Sequence, residues 1–425
     1  MRKFELLRNG VRLVCLPNPG FSTMVAMVGV QVGSRDEPEG MHGAAHFIEH
    51  MMFKGTKRRP SAIEISREVD GRGGENNAFT DKDKTCFYVR MPGKDGARAV
   101  DIVHDLVANP AFRSQDFERE REVILAEIQS YDDQSGALVH YADDAASFGN
   151  HPMAHPVIGN AASVKGMTPD SLRKFFLRHY IPQKMVVVLS GNLNDRTVEA
   201  AREKFGSLPQ GGLAADRLPA KPKQHGLVSV TGPGEMVSIL VRFLGYASGS
   251  VASNRANVAA IALGGYSSAR LEQELREKRG LCYSVGSFSS SMSDHGSVYV
   301  SMDVEPKKVR ETFRTLSSVL KDFSKKGPDE DEVRMVKSHV RGQLSMHLDS
   351  PMSVAMYACE DALSGIGKTQ FPKLPAQRLR EVLAVPHDGV RATARDFRPS
   401  MASVTVVGPK SAERAVKAGF RDFKS

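Results

Sequence analysis

The sequence predicts an α+β fold of two homologous domains, each a mostly antiparallel sheet packed with helices. At 425 residues, of which 41% are apolar, the chain is too long for one ordinary hydrophobic core. A segment rich in glycine and proline lies near its middle and has no apolar period, which is typical of a linker. We therefore expect a first domain at residues 1–210, a linker at 211–226 and a second domain at 227–425.

The second half of the chain repeats the strand pattern of the first half. Apolar runs typical of strands begin at residues 24 and 236, which are 212 residues apart. Two more begin at residues 185 and 402, which are 217 residues apart. Such similar offsets predict a duplicated unit. Because strands and helical patterns do not alternate regularly, antiparallel sheets are favoured over a doubly wound fold.

Composition narrows the classes of partner. The net charge of +9 admits an anionic partner, but basic residues are spread along the chain and tryptophan is absent, so we expect no nucleic acid partner. Residues 1–16 alternate around Asn9-Gly10 and predict a hairpin instead of a leader. No run of 18 apolar residues occurs, so we expect no membrane insertion and a cytoplasmic location. The four cysteines are scattered, which is typical of reduced, buried thiols.

The pentapeptide His-Phe-Ile-Glu-His at residues 46–50 has the spacing of a metal site. If residues 42–53 form a helix, His46 and His50 lie one turn apart on one face, and Glu49 falls between them. Two such imidazoles can bind one metal ion, and an adjacent carboxylate can accept a proton from a water molecule. The alternative is a helix with two surface or partly buried histidines.

The duplication provides a test of these two interpretations. Shifted by the repeat offset, the pentapeptide falls near residues 259–263, an apolar helical segment with neither histidine nor carboxylate. The shared architecture therefore does not require these polar residues. Chemistry explains them better than packing does.

A zinc site with two histidines needs at least one further protein ligand. Residues 115–133 form a predicted helix on which Glu120 and Glu127 share an arc with apolar side chains. The apolar residues of that arc are Phe117, Ile124, Ile128 and Tyr131. A carboxylate on a buried face costs several kcal/mol unless it meets a cation. A metal ion held by the histidines would balance the charge of these carboxylates, and so would an arginine or lysine from elsewhere in the chain.

These motifs together resemble those of the inverted-zincin metallopeptidases, the M16 family of pitrilysin and the mitochondrial processing peptidases. The pentapeptide followed by Glu127 is similar to the signature of the family. Residues 73–80 resemble its substrate-binding sheet edge, 118–127 its third-ligand helix, and 275–283 its arginine/tyrosine clamp. The resemblance covers essentially the whole chain. It implies the short, bilobed, paired-subunit form, in which each chain is half of a clamshell.

The resemblance also implies roles for individual residues. His46, His50 and Glu127 would hold one Zn²⁺ per chain, with Glu49 as the general base and Glu120 orienting a ligand. Four further residues would bind the peptide substrate: Asn77 and Ala78 on the sheet edge, and Arg276 and Tyr283 as a clamp that reaches in from the facing subunit. For Arg276, a solvated position on a charged helix is the alternative.

The function implied by the resemblance is that of a zinc-dependent endopeptidase acting on extended peptides or on unfolded, presequence-like segments. Because one chain carries both the zinc residues and the clamp, we expect a homodimer. Two alternatives stay open: a non-catalytic subunit with the same fold, and a catalytic subunit that works only with a different partner chain.

Overall fold

The computed structural model describes residues 3–212, 217–365 and 372–425. Residues 213–216, within the predicted linker, lie outside the described residues. The chain forms two compact units, and each unit combines segments from both halves of the sequence. The first unit consists of residues 1–128, 155–218 and 344–378, and the second of residues 129–154, 219–343 and 379–425.

The first unit is built around one mixed sheet. Its strands are β1 (Lys3–Leu6), β2 (Arg12–Pro17), β3 (Thr23–Val30), β4 (Glu75–Thr80), β5 (Thr85–Pro92) and β6 (Met185–Gly191). They are ordered β1-β2-β6-β3-β5-β4. The β2–β6 pair is parallel and the other neighbours are antiparallel. The β1–β2 pair is the hairpin predicted around Asn9-Gly10.

The second unit contains a sheet of the same design. Its strands are β7 (Leu227–Thr231), β8 (Val237–Leu244), β9 (Cys282–Ser291), β10 (Gly296–Val304) and β11 (Ser403–Gly408). The order β7-β11-β8-β10-β9 matches β2-β6-β3-β5-β4, with one parallel pair, β7–β11, in the same place. The predicted pairs of repeated strands are thus β3 with β8 and β6 with β11. This confirms the predicted fold class.

Helices cover both sheets. They are α1 (Ala44–Met52), α2 (Ala62–Asp70), α3 (Gly96–Ala108), α4 (Ser114–Asp132), α5 (Ser135–Phe148), α6 (Ala161–Gly166), α7 (Pro169–His179), α8 (Asp195–Gly206), α9 (Val251–Gly264), α10 (Val309–Lys326), α11 (Glu330–Leu348), α12 (Pro351–Ser364), α13 (Pro375–Leu383), α14 (His387–Ala394) and α15 (Glu413–Lys424). In the first unit α3 packs against β3 and β5, and in the second α9 packs against β9 and β10. Helix α9 is the apolar segment without histidine that the repeat predicts.

Two helices at equivalent places in the repeat are exchanged between the units. Helices α5 and α12 begin at residues 135 and 351, 216 residues apart, which matches the strand offsets. Yet α5 packs against β8 and β11, whereas α12 packs against β3 and β6. On α5, the buried Asp143 accepts a hydrogen bond from the Thr405 hydroxyl at 3.1 Å. On α12, Cys359 packs so closely on Gly29 that a Cβ there would lie 2.3 Å from its sulfur. The compact units therefore differ from the two sequence halves.

The four cysteines are free and buried, as the sequence predicts. The sulfur atoms of Cys86 and Cys359 are 4.0 Å apart, about twice the length of a disulfide bond. Among the helices of the described ranges, none is both long enough and apolar enough to cross a membrane.

The exchange predicts that the first half of the sequence does not fold alone. Without α12, fragment 1–212 exposes a sheet face that is buried in the full chain, including Val25, Met27, Val186 and Val188. An apolar patch of this kind drives association. We expect the fragment to elute as aggregate in size-exclusion chromatography and to melt without cooperativity, whereas co-expression with residues 213–425 restores a cooperative transition. A monomeric fragment with a sharp melting transition would show that the first half of the sequence folds without α12, which contradicts this prediction.

Candidate metal centre

Helix α1 presents two imidazoles on its less buried side. Its apolar side chains are buried in the core of the first unit: Ala44, Ala45, Phe47, Ile48, Met51 and Met52. His46 and His50 lie one turn apart, with ring centroids separated by 4.7 Å. The helix begins two residues later than predicted, because Gly43 adopts a left-handed φ of 97° that a helix does not continue.

Helix α4 brings two carboxyl groups to these histidines. Phe117 of α4 stacks on Phe47 of α1, with ring centroids 4.5 Å apart. Glu120 and Glu127 lie three and ten residues further along α4, on the same face as Phe117. The stacked rings therefore direct both carboxyl groups towards α1. Tyr131 was predicted on this buried arc, but it is 37% exposed because the last turn of α4 extends past the core.

Three side chains converge on one point. The Nε2 atoms of His46 and His50 lie 3.9 Å and 3.7 Å from Oε2 of Glu127. Among the described residues these three form the one group of histidine, cysteine and acidic side chains spaced to bind a metal ion. In the same ranges, no lysine or arginine lies within ion-pair distance of Glu127. The carboxylate thus faces two imidazoles and no permanent cation.

The separations fit a zinc ion. Zinc binds imidazole nitrogen and carboxylate oxygen at about 2.0–2.2 Å in tetrahedral geometry, so two ligand atoms lie about 3.4 Å apart. The observed separations exceed that value by only a few tenths of an ångström. Three protein ligands also leave one position for water or substrate, as in catalytic zinc sites. The donor set of two histidines and one glutamate is one that zinc enzymes use.

Burial keeps the first imidazole neutral. Loss of solvation, followed by the nearby His50, lowers the pKa of His46 to about 3. Only a neutral imidazole has a free lone pair for a metal ion. His46 is therefore ready to act as a ligand at neutral pH without first releasing a proton. Its Nδ1 atom is buried and has no hydrogen-bond partner among the described residues.

Glu120 holds the second imidazole in place. Its Oε2 lies 3.1 Å from Nδ1 of His50, so Nε2 of that ring points towards Glu127. Its other oxygen, Oε1, pairs with the Lys54 ammonium at 2.7 Å. Among the described residues, the basic partner considered for both acids is present for Glu120 and absent for Glu127. This pairing offsets the cost of burying the Glu120 carboxylate, which is only 7% exposed.

Glu49 lies on α1 between the two histidines. Its Oε2 accepts a hydrogen bond from the Thr80 hydroxyl at 2.5 Å. Burial raises the pKa of Glu49, and the charge of Glu127 adds to this effect, while the Thr80 hydrogen bond and His50 oppose it. A carboxylate with a raised pKa accepts protons more readily, which suits a general base.

Strand β4 forms the edge of the first sheet beside α1. Asn77 and Ala78 pair with Tyr88 and Phe87 of β5. Among the described strands, none pairs with the other side of β4. Thr80, which binds Glu49, ends the same strand. The two residues predicted to bind substrate thus lie on a free sheet edge that is joined to α1 by a side-chain hydrogen bond.

Arg276 and Tyr283 lie together in the second unit. Arg276 belongs to a π-helical turn at Glu272–Glu277, and its guanidinium carbon is 5.7 Å from the centre of the Tyr283 ring. Tyr283 is 82% exposed at the start of β9, the edge strand of the second sheet. The pair is available to contact a partner molecule.

Three side chains of this region have no assigned role in the sequence analysis. They are Lys54, Thr80 and Glu37, whose carboxylate accepts hydrogen bonds from the backbone of α1. Lys54 carries a weak signal, because it follows His50 by one helical turn. Thr80 lies within residues 73–80, which resemble the substrate-binding edge, but its contact with Glu49 carries no sequence signal. The contact of Glu37 with α1 carries none either, since both contacts join separate elements.

Comparison with known sequences assigns both halves of the chain. Residues 14–161 match the family described as Insulinase (Peptidase family M16), and residues 166–340 match the Peptidase M16 inactive domain. An uncharacterized zinc protease of Mycobacterium tuberculosis is 36% identical over 425 residues, which cover 96% of this chain and 94% of the relative. The uncharacterized zinc protease YmxG of Bacillus subtilis is 31% identical over 354 residues, covering 83% and 86%.

Comparison with solved structures agrees with the fold. A protease from Helicobacter pylori superposes with a TM-score of 0.88 at 20% identity and covers 96% of this chain and 99% of its own. The peptidase M16 inactive domain from Pseudomonas fluorescens gives a TM-score of 0.86 at 19% identity, covering 96% and 98%. At these identities the likeness shows the fold alone. The sequence matches, which span nearly the whole chain, show that this protein belongs to peptidase family M16, whose relatives named above are zinc proteases.

Proposed function

We propose that this protein is a zinc-dependent endopeptidase that cleaves extended peptides or unfolded segments of proteins. The observation that carries the proposal is the convergence of His46, His50 and Glu127, with the Glu49 carboxyl group on the same helix. Relatives named zinc proteases support the choice of metal. His46, His50 and Glu127 would hold one zinc ion per chain.

The chain's own residues would perform the proton transfers. When bound, zinc supplies Lewis-acid polarisation of the scissile carbonyl and lowers the pKa of a water molecule. Glu49 accepts a proton from the attacking water and passes it to the leaving amine, a role worth roughly 10²–10⁴-fold in rate. Thr80 orients the Glu49 carboxyl group through its hydroxyl. Glu120 fixes the ring of His50 through Nδ1.

The substrate would bind as an added strand. On the free side of β4, the backbone N–H of Ala78 donates to the side-chain oxygen of Asn77 at 2.8 Å. A peptide strand bound along Asn77 and Ala78 would take the place of that contact. Backbone hydrogen bonds of this type supply affinity with little dependence on sequence, and side-chain pockets add modest selectivity. Arg276 and Tyr283 would hold the peptide backbone near the scissile bond, reaching in from the facing subunit of a homodimer.

Removing the general base tests the chemistry. We expect Glu49→Gln to retain one zinc per chain and to lose at least about 10²-fold in kcat, because the amide cannot accept the proton. Peptide cleavage mapped by mass spectrometry and elemental analysis of zinc measure the two quantities. The matched control is Glu122→Gln, an exposed acid on α4 that leaves both unchanged. Wild-type cleavage by a zinc-loaded Glu49→Gln variant would reject the proposed mechanism.

Glu120 tests the support of the second ligand. We expect Glu120→Gln to weaken zinc binding by about 10–100-fold, since the His50 ring loses its charged hydrogen-bond partner and Lys54 loses its carboxylate. Competition with a chromophoric chelator gives the zinc Kd directly. The control is Glu118→Gln on the same helix, whose carboxylate pairs only with Arg121 among the contacts of the described residues. An unchanged zinc Kd in Glu120→Gln would show that Glu120 does not orient His50.

Mixing two inactive variants tests the shared active site. If the clamp acts between subunits, Glu49→Gln and Tyr283→Ala chains complement each other, because a mixed dimer contains one intact site. Random exchange of subunits in equal amounts would restore about a quarter of wild-type activity. We expect this recovery together with a dimeric mass in light scattering. A dimeric mixture that recovers no activity would place the clamp in the same chain as the zinc. A wild-type chain that is monomeric or inactive by itself would favour a different partner subunit.

A further inference from the structure

Residues 33–37 are part of the connection between β3 and α1 and include a 3-10 turn at Ser34–Asp36. This segment, called the 33–37 loop, binds the start of the candidate metal helix. The carboxylate of Glu37 accepts hydrogen bonds from the backbone nitrogens of Gly43 and Ala45, both at 2.8 Å. The first amides of a helix have no partner within the helix. Because Gly43 has no side chain with which to cap α1, the buried Glu37 supplies the cap from the preceding loop. The two amides lie three residues and one residue before His46.

The same loop binds the turn that follows the substrate-binding strand. The backbone nitrogens of Ser34 and Arg35 donate to the carbonyl oxygens of Asp81 and Lys82, both at 3.1 Å. The guanidinium of Arg35 donates to the Asp83 carboxylate at 2.7 Å. This ion pair is enclosed, since the Arg35 side chain is only 1% exposed. Enclosed, charge-assisted hydrogen bonds are stronger and more directional than exposed ones.

Three hydrogen bonds close the turn itself, which connects the 33–37 loop to β4. Asp81 Oδ1 accepts hydrogen bonds from the backbone nitrogens of Asp83 and Lys84 at 2.7 Å and 2.8 Å. The backbone nitrogen of Asp81 donates to the carbonyl oxygen of Lys84 at 2.9 Å. Thr80, the last residue of β4, precedes this turn directly.

A second layer of contacts holds the loop from outside. The guanidinium of Arg217 donates to both oxygens of Asp36, at 3.0 Å and 2.8 Å. The second terminal nitrogen of Arg35 donates to the carbonyl oxygen of Leu218 at 2.9 Å. The 33–37 loop is therefore bound on three sides: by α1, by the β4–β5 turn and by residues 217–218.

We propose that the 33–37 loop sets the distance between the metal helix α1 and the substrate-binding strand β4, with Glu37 and Arg35 as positioning residues. This inference rests on the proposed endopeptidase function. Cleavage requires the scissile carbonyl of a peptide bound along β4 to meet the ligands and Glu49 of α1. A misplacement of about 1 Å in such an arrangement can cost about 10²-fold in rate. Glu37 fixes α1, Arg35 fixes the turn after β4, and one residue separates them.

Two substitutions test the roles of the two ends of the loop separately. We expect Arg35→Met to raise the KM for an extended peptide by about tenfold and to lower kcat, because the freed β4–β5 turn lets the bound peptide move relative to α1. The zinc Kd stays within about twofold, because α1 itself is not released. We expect Glu37→Gln to raise the zinc Kd by about fivefold and to leave the KM of the zinc-saturated enzyme unchanged, because it loosens the start of α1. Asp83→Asn, which keeps the size of the partner side chain, is the second variant and has the same expected effect as Arg35→Met.

The control is Arg334→Met, which removes an exposed arginine from its pair with Asp331 and leaves KM and zinc Kd unchanged. Chelator competition without peptide gives the zinc Kd, and initial rates give KM and kcat separately. A wild-type chain that neither binds zinc nor cleaves peptide would reject the endopeptidase function itself. A working wild-type enzyme in which Arg35→Met and Asp83→Asn leave KM unchanged, or shift KM and zinc Kd together, would reject only the positioning role of the loop.

Discussion

The carboxylate of Glu127 is the constraint on which the candidate site depends. It is held by the stacking of Phe117 on Phe47 at a position where two imidazole nitrogens face it at 3.7 Å and 3.9 Å. Within the described residues, neither lysine nor arginine balances its charge. A half-buried carboxylate beside neutral rings is stabilised by a cation that all three can share. A divalent metal ion satisfies that condition, and nothing else on these two helices does.

Glu120, the other acid on this face of α4, has different charged neighbours from Glu127. Glu120 lies two turns earlier on α4 and already has a cation, Lys54, as well as a hydrogen bond to His50. One helix thus carries two acids with different electrostatic surroundings: Glu120 is compensated by Lys54, and Glu127 has no lysine or arginine partner among the described residues. In the proposed function, the compensated acid orients the His50 ring and the uncompensated acid completes the ligand set. Glu49 is largely buried and accepts a hydrogen bond from Thr80, which is consistent with the proton transfer proposed for it.

Local sequence patterns predicted much of the candidate site and of the duplicated fold. The i, i+4 spacing of His46 and His50 and the seven-residue spacing of Glu120 and Glu127 follow from helical geometry, and the strand offsets indicated the duplication. The exchange of α5 and α12 could not be predicted, because equivalent helices fit either sheet and the choice depends on three-dimensional packing. The capping of α1 by Glu37 could not be predicted from the sequence for a related reason. Its partners are backbone amides, which no residue type identifies.

A crystal structure grown with zinc, with anomalous diffraction recorded at both sides of the zinc edge, tests the central claim most directly. The account predicts one anomalous peak per chain within about 2.0–2.2 Å of Nε2 of His46, Nε2 of His50 and a carboxylate oxygen of Glu127. A peak elsewhere, or a Glu127 carboxylate turned away from the histidines and paired with a basic side chain, would contradict it.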